Sequence, residues 1–82
     1  MVDYDIDNCQ IELTKHFRND YMRKWNWDMY DLREAIKSAY RTDKLGKSKY
    51  EIYTKKSGNK KLIFVYDDFD KTILVISGAE RK

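Results

Sequence analysis

Two spacings of apolar residues divide the chain, a helical spacing in the first half and a strand-like alternation in the second. Phe17, Tyr21 and Trp25 recur four residues apart, which places three aromatic rings on one face of a helix. Thr14 offers a hydroxyl oxygen that can accept hydrogen bonds from the first backbone N–H groups of that helix. The spacing therefore predicts a first helix over residues 15–25.

The clearest helical pattern follows in residues 29–40. Asp28, with Asp31 three residues later, is typical of an N-cap followed by an acidic first turn, which the helix dipole favours. Beyond it the apolar positions form one stripe and the charged positions lie away from that stripe. The stripe consists of Met29, Leu32, Ala35, Ile36, Ala39 and Tyr40. We predict a second helix over residues 29–40.

Alternating segments predict short strands on both sides of these helices. Residues 9–13 alternate apolar and polar positions as a strand with one buried face would, and residues 49–55 do the same. The sequence Ser57-Gly58-Asn59 that follows is typical of a hairpin turn. Residues 41–48 are polar, contain Gly46 and show no sustained period, so we interpret them as a connection.

The last two predicted strands, residues 62–67 and 72–77, carry apolar residues at the consecutive positions 62–66 and 73–76 rather than at alternate ones. The short loops between the strands predict a three-stranded antiparallel meander. The order of a short strand, two helices and three strands predicts an α+β fold, β-α-α-β-β-β. At 82 residues the chain has room for one hydrophobic core, so we predict a single domain over 1–82.

Consecutive apolar positions indicate that both faces of the sheet are at least partly covered. Two short helices can cover only one face well. The other face carries either Leu62, Phe64 and Tyr66 or Ile63 and Val65. Its cover is then the N-terminal arm, a partner protein or a second copy of the chain, and the sequence leaves these alternatives open.

Positive charge is concentrated in the middle of the chain. The net charge is +3 overall, whereas residues 41–61 contain eight bases and two acids. Tyr50 and Tyr53 lie among these bases, and this composition suits phosphate contacts combined with base stacking. RNA or DNA is therefore a candidate partner. Lysines along a hairpin also protect a sheet edge from pairing with other chains, and this alternative stays open.

The sequence contains no self-sufficient catalytic motif. One histidine, His16, and one cysteine, Cys9, leave no metal-ligand spacing, so we expect neither a metal nor another cofactor. Cleavage of RNA needs only a proton acceptor, a proton donor and cations near the phosphate. His16 falls on the polar side of the first predicted helix and is of the right type, although a surface histidine without a partner is more often a bystander.

The cellular location follows from what the sequence lacks. No apolar run approaches the roughly 20 residues that a membrane span needs. The N-terminal residues alternate acidic and apolar types, unlike a signal peptide, and the single cysteine fits a reducing compartment. We expect a cytoplasmic protein that makes no membrane contact.

The order of elements and the sequence Thr14-Lys15-His16-Phe17-Arg18 resemble a family of small prokaryotic domains related to the RelE/ParE and BrnT-like toxins. The resemblance spans roughly residues 9–78 and includes Gly46-Lys47-Ser48-Lys49-Tyr50-Glu51 at the entry to the meander. It implies a RelE-like fold. It also implies a toxin that cleaves mRNA as a metal-independent endoribonuclease, paired with an antitoxin that lies on the sheet or the helices.

Candidate site residues follow from the residue types that such cleavage requires. We predict catalytic roles for His16, Lys49 and Arg81. The residues predicted to bind the nucleic acid are Arg18, Arg23, Lys47, Tyr53, Lys55, Lys56, Lys60 and Lys61. The expected partners are RNA, including ribosome-bound mRNA, and either an antitoxin or a second copy. Two alternatives remain, a non-catalytic nucleic-acid-binding module and a homodimeric protein-interaction domain.

Overall fold

A computed structural model describes residues 4–56 and 58–80 of the chain as a mixed sheet with helices packed on one of its faces. The strands are β1 (Gln10–Leu13), β2 (Arg41–Lys44), β3 (Lys49–Thr54), β4 (Lys60–Asp67) and β5 (Thr72–Glu80). Their order across the sheet is β1-β5-β4-β3-β2. β1 runs parallel to β5, and every other pair of neighbours is antiparallel.

This sheet confirms the α+β class and corrects the strand count. The segment that we interpreted as a connection contains β2, which pairs with β3 at the edge of the sheet. Its sequence Arg-Thr-Asp-Lys shows no apolar alternation, because an edge strand that buries little surface does not need one. The predicted β-α-α-β-β-β order is therefore wrong by one strand, although β3, β4 and β5 do form consecutive antiparallel neighbours.

The first helix is a composite of α1 (Lys15–Phe17), a π-helical stretch (Arg18–Met22) and α2 (Arg23–Trp25). We call residues 15–25 the composite helix. Its aromatic rings recur every four residues, whereas an α-helix turns every 3.6 residues, so the wider π-helical turn keeps the rings on one face. The Thr14 hydroxyl caps the start and accepts from the backbone N–H of Phe17 at 3.1 Å.

The second helix, α3 (Met29–Lys37), begins where predicted and ends three residues earlier. Asp28 and Asp31 form a reciprocal capping box, with N–H to carboxylate distances of 2.8 and 3.1 Å. At the other end, Tyr40 donates its backbone N–H to the carbonyl of Tyr53 at 3.0 Å. Because this bond starts the pairing of β2 with β3, the chain must leave the helix before residue 40.

The core lies between the sheet and the helices. Leu62 and Phe64 of β4 are fully buried there. Tyr4 from the N-terminal segment packs edge-on against the Phe64 ring, with 5.3 Å between ring centroids. The guanidinium of Arg33 on α3 donates to the carbonyl of Cys9 at 3.3 Å and holds the N-terminal segment against the helix layer. The described part of the N-terminal arm therefore covers the same face as the helices and leaves Ile63 and Val65 on the other side.

Candidate nucleic-acid interface

The sheet has a covered face, under the helices, and an open face. Side chains alternate between the two faces along each strand, so Tyr50 and Ile52 of β3 are buried while the alternate residues Glu51 and Tyr53 are only partly buried. The open face carries Glu12 of β1, Leu74 of β5, Lys61, Ile63, Val65 and Asp67 of β4, Lys49, Glu51 and Tyr53 of β3, and Arg41 and Asp43 of β2.

One corner of the open face combines aromatic rings with cations. We call it the aromatic–basic corner and define it as Tyr40, Arg41, Tyr53, Lys55 and Lys61. The register of the sheet places Arg41 opposite Tyr53 on one side and Lys61 opposite Tyr53 on the other. The Tyr40 and Tyr53 rings lie 6.4 Å apart, and Tyr40 is 54% exposed. The pairing of β2 with β3 thus builds this corner.

Each ring of the aromatic–basic corner has a cation beside it. The Arg41 guanidinium lies 5.3 Å from the centroid of the Tyr53 ring, and the Lys55 ammonium lies 5.3 Å from that of Tyr40. Cation–π contacts at exposed sites contribute only about 0.5–1 kcal/mol, so the cations can turn to a ligand at little cost.

Two carboxylates lie beside two of the three cations of the corner. Asp43 accepts from the Arg41 side chain at 3.1 Å, and this hydrogen bond raises the pKa of Arg41. Glu51 accepts from the hydroxyl of Tyr53 and lies 3.9 Å from the Lys61 ammonium. Arg41 and Lys61 of the corner therefore each have a carboxylate partner within the sheet.

The lysines predicted to act together on the β3–β4 hairpin separate into two groups. Lys60 points to the covered face and is 5% exposed, with its ammonium 5.2 Å from the Trp25 ring and 5.7 Å from the Trp27 ring. Lys56 forms an ion pair with Asp31 of α3 at 3.6 Å. Lys55 and Lys61 belong to the aromatic–basic corner, so only these two lysines of the predicted group lie beside Tyr53.

The remaining predicted binding residues line two clefts away from the corner. Arg18 and Arg23 line a cleft of about 520 Å³ beside the composite helix, with Met22 and Trp27 among its apolar walls. Lys47 lines a second cleft of about 280 Å³ in front of β3. The predicted binding residues therefore do not form one surface: they are divided among the corner, the two clefts and the helix-covered side, where Lys56 and Lys60 lie.

The predicted catalytic residues do not form one site. His16 lies in the first turn of the composite helix, 59% exposed, with Nδ1 2.7 Å from the Asp20 carboxylate. Lys49 lies on the open face, across the sheet from the helix layer that carries His16. Arg81 falls outside the described residues. The structure thus places His16 and Lys49 on opposite sides of the sheet.

The predicted binding residues include neither Tyr40 nor Arg41, although Arg41 is one of the eight bases of residues 41–61. The sequence pattern places Tyr40 in the apolar stripe of the predicted second helix and Arg41 at the start of the predicted connection, residues 41–48. The sequence does contain one signal for them. Tyr40 directly precedes the basic segment 41–61, and an aromatic residue next to a cation is typical of surfaces that bind single-stranded nucleic acid.

Comparisons with known proteins identify no relative of this chain. No protein-family model, curated protein or solved structure matches this chain. Over residues 4–56 and 58–80, no helix is long and apolar enough to cross a membrane. The same residues contain no group of three or more His, Cys, Asp and Glu side chains that could hold a metal ion. The resemblance to RelE-type toxins stays a prediction, and the functional argument rests on the aromatic–basic corner.

Proposed function

We propose that this protein binds single-stranded RNA through the aromatic–basic corner. One observation carries the proposal: Tyr40 and Tyr53 are neighbouring rings, each with a cation 5.3 Å from its centroid. Unpaired bases stack on aromatic side chains while lysine and arginine contact the phosphates between them. A duplex keeps its bases inside the stack, so this arrangement favours a single strand.

The number of cations sets the expected salt dependence. Arg41, Lys55 and Lys61 lie beside the two rings, which allows three phosphate contacts. Each contact with a single strand contributes about −0.7 to the slope of log affinity against log salt, so a slope of about −2 is expected. Lys49 lies further along the open face and extends the cationic path.

The test is fluorescence anisotropy with a short labelled uridine oligonucleotide. Tyr40→Ala and Tyr53→Ala should each weaken binding roughly tenfold, because each removes one stacking platform. Tyr30→Ala is the matched control, since Tyr30 is also an exposed tyrosine, at 68%, but lies on α3. Equal losses in all three variants, or no loss at Tyr40 and Tyr53, would overturn the proposal.

Cleavage of RNA is a second candidate function, which the His16–Asp20 pair favours. The carboxylate 2.7 Å from Nδ1 orients the imidazole, so that Nε2 is the nitrogen presented to a substrate. A histidine held in this way can act as the general base or acid that a ribonuclease toxin requires.

The catalytic candidate has its own test. Induced expression should arrest growth and yield cut mRNA, and His16→Gln should abolish both while leaving oligonucleotide binding unchanged. Lys15→Gln, one residue earlier in the same turn, is the control. If the unmodified protein neither arrests growth nor cuts RNA, the catalytic candidate is wrong and the binding proposal is unaffected.

A further inference from the structure

The open face carries opposite charge at its two ends. Two exposed carboxylates lie at one end of it, those of Asp67 at the end of β4 and Asp70 in the turn that follows, and both line a cleft with Val65 and Leu74. Asp68 of the same turn instead accepts from the Tyr66 hydroxyl on the covered side and pairs with Lys71. At the opposite end of the sheet lie Arg41 of β2, Lys55 just after β3, and Lys61 of β4. A partly exposed apolar patch of Ile63, Val65, Leu74 and Ile76 separates the two ends. A surface with this polarity is complementary to itself when it is turned end for end.

We propose that a second copy of this chain packs on the open face in the antiparallel direction. The two-fold axis then lies between the two sheets and perpendicular to the strands. This axis brings the acidic turn of one copy over the basic end of the other, and it places apolar patch on apolar patch. Two sheets packed face to face with their strands roughly aligned are a common arrangement in proteins.

The register of the strands supports this axis residue by residue. Val65 lies beside Lys49 in one row of the open face, and Ile63 lies beside Glu51 in the next row. An axis halfway between these rows exchanges them. Ile63 then faces Val65 of the second copy, and Lys49 faces Glu51 of the second copy.

The next rows outward agree with the same axis. Lys61 and Asp67 each lie one open-face position outside the central rows, at opposite ends of β4. The axis therefore brings Lys61 of one copy over Asp67 of the other. Opposite charges or apolar groups therefore meet in the rows of β3 and β4 between these residues, and this central part of the open face is self-complementary in charge and hydrophobicity.

The size of the face predicts a weak dimer. Four neighbouring strands lie about 4.8 Å apart, and seven residues of a strand rise about 3.3 Å each. A face of these dimensions has an area of roughly 450 Å² per copy, or about 900 Å² for both copies. Specific interfaces of this size are at the low end and belong to transient complexes. We therefore expect a reversible equilibrium in which the monomer dominates in dilute solution.

Dimer formation would compete with RNA binding. The second copy covers Lys61 with its acidic turn, and Lys61 is one of the three cations of the aromatic–basic corner. The carboxylates of Asp67 and Asp70 would take the place of RNA phosphates there. This consequence rests on the proposed RNA binding, whereas the dimer itself does not.

Lys61 and Asp67 allow a decisive experiment because they cannot touch within one copy. They lie six residues apart on one strand, which separates them by roughly 20 Å. Lys61→Gln and Asp67→Asn each remove one charge and keep the size of the side chain. Asp67 accepts hydrogen bonds from the backbone N–H groups of Phe69 and Asp70 at 2.9 and 3.2 Å, and the side-chain oxygen of an asparagine can accept the same bonds. Any energetic coupling between the two positions must then arise between copies.

The measurement is sedimentation equilibrium over a wide range of concentrations at low salt. The unmodified protein should pass from monomer to dimer, and each single variant should weaken the dimer about three- to tenfold, since two exposed ion pairs are lost. The double variant should be no weaker than either single one. Lys15→Gln, on the helix layer, should not change the equilibrium.

Two results would overturn the proposal. One is a strictly monomeric protein at all concentrations, and the other is a double variant whose loss equals the product of the two single losses. Val65→Ser in the apolar patch should weaken the dimer more than either charge variant, with circular dichroism to establish that it is folded. A monomer that binds RNA would refute only the dimer, and a dimer that does not bind RNA would refute only the proposed function.

Discussion

The two faces of β4 carry similar apolar residues but differ in how deeply these residues are buried. On the covered face, Leu62 and Phe64 are fully buried among aromatic and aliphatic neighbours. On the open face, Ile63 is only partly buried and has charged neighbours in the sheet. The contrast extends to adjacent lysines, because Lys60 lies against two indole rings while Lys61 lies in the aromatic–basic corner. The face on which a strand residue lies therefore decides whether it supports the fold or is available to a ligand.

The largest expected effect compares two isoleucines on opposite faces. Ile73 is fully buried on the covered face, so Ile73→Ala should lower the free energy of unfolding by about 2–5 kcal/mol. Ile63→Ala on the open face should cost about 1 kcal/mol or less when measured in dilute solution, where the monomer dominates. Urea denaturation measures both variants. Equal losses would contradict the distinction between the faces.

A second comparison uses two glycines. A Cβ atom at Gly78 would lie 3.1 Å from the carbonyl oxygen of Lys61 and 3.1 Å from the Trp25 ring, so Gly78→Val should overpack the covered face and cost about 1–3 kcal/mol. No atom lies within 4 Å of the corresponding position at Gly46. Gly46→Ala should therefore leave the thermal midpoint unchanged or raise it slightly. A stable Gly78→Val variant would show that the composite helix packs less closely than described.

Much of the fold could be predicted from local signals. The capping box of α3 and the alternation in β3 follow from residue types and short spacings, which local physics decides. β2 could not be predicted, because its four polar residues become a strand only through pairing with β3. The π-helical stretch did leave a signal, since rings that recur every four residues drift off one face of a regular α-helix.

A smaller effect is expected at the start of α3. Asp28→Ala removes one half of the capping box and should lower the free energy of unfolding by about 1 kcal/mol. Tyr30 in the first turn of the helix is exposed, so Tyr30→Ala gives a control that leaves the cap intact. Thermal unfolding followed by circular dichroism would check the difference, and identical midpoints for both variants would argue against the cap.

The smallest effect is a dependence on pH from Asp31. The hydrogen bond from the Asp28 backbone N–H, followed by the nearby Lys56, lowers the pKa of Asp31. A lowered pKa means that the carboxylate stabilises the fold above its ordinary pKa, and that this contribution is lost as the pH falls through the lowered value. In the Asp31→Asn variant, the free energy of unfolding should therefore fall less steeply as the pH is lowered through the acidic range. A pH dependence unchanged from that of the unmodified protein would contradict this assignment.

The candidate site was harder to predict than the fold because it depends on which strands become neighbours. The basic composition of residues 41–61 was visible, and so was Tyr53. The burial of Lys60 is a consequence of alternation along β4, where residues 60, 62, 64 and 66 share one face. The contact of Tyr40 with Tyr53 requires the pairing of β2 with β3, which no local pattern specifies.

The most direct test of the central claim compares Lys60→Gln with Lys61→Gln in RNA binding as a function of salt. Both variants remove one positive charge from adjacent positions of β4, but only Lys61 lies in the aromatic–basic corner. Lys61→Gln should weaken binding and make the salt slope shallower by about 0.7, whereas Lys60→Gln should leave both nearly unchanged. Equal effects of the two variants would contradict a binding surface on the open face.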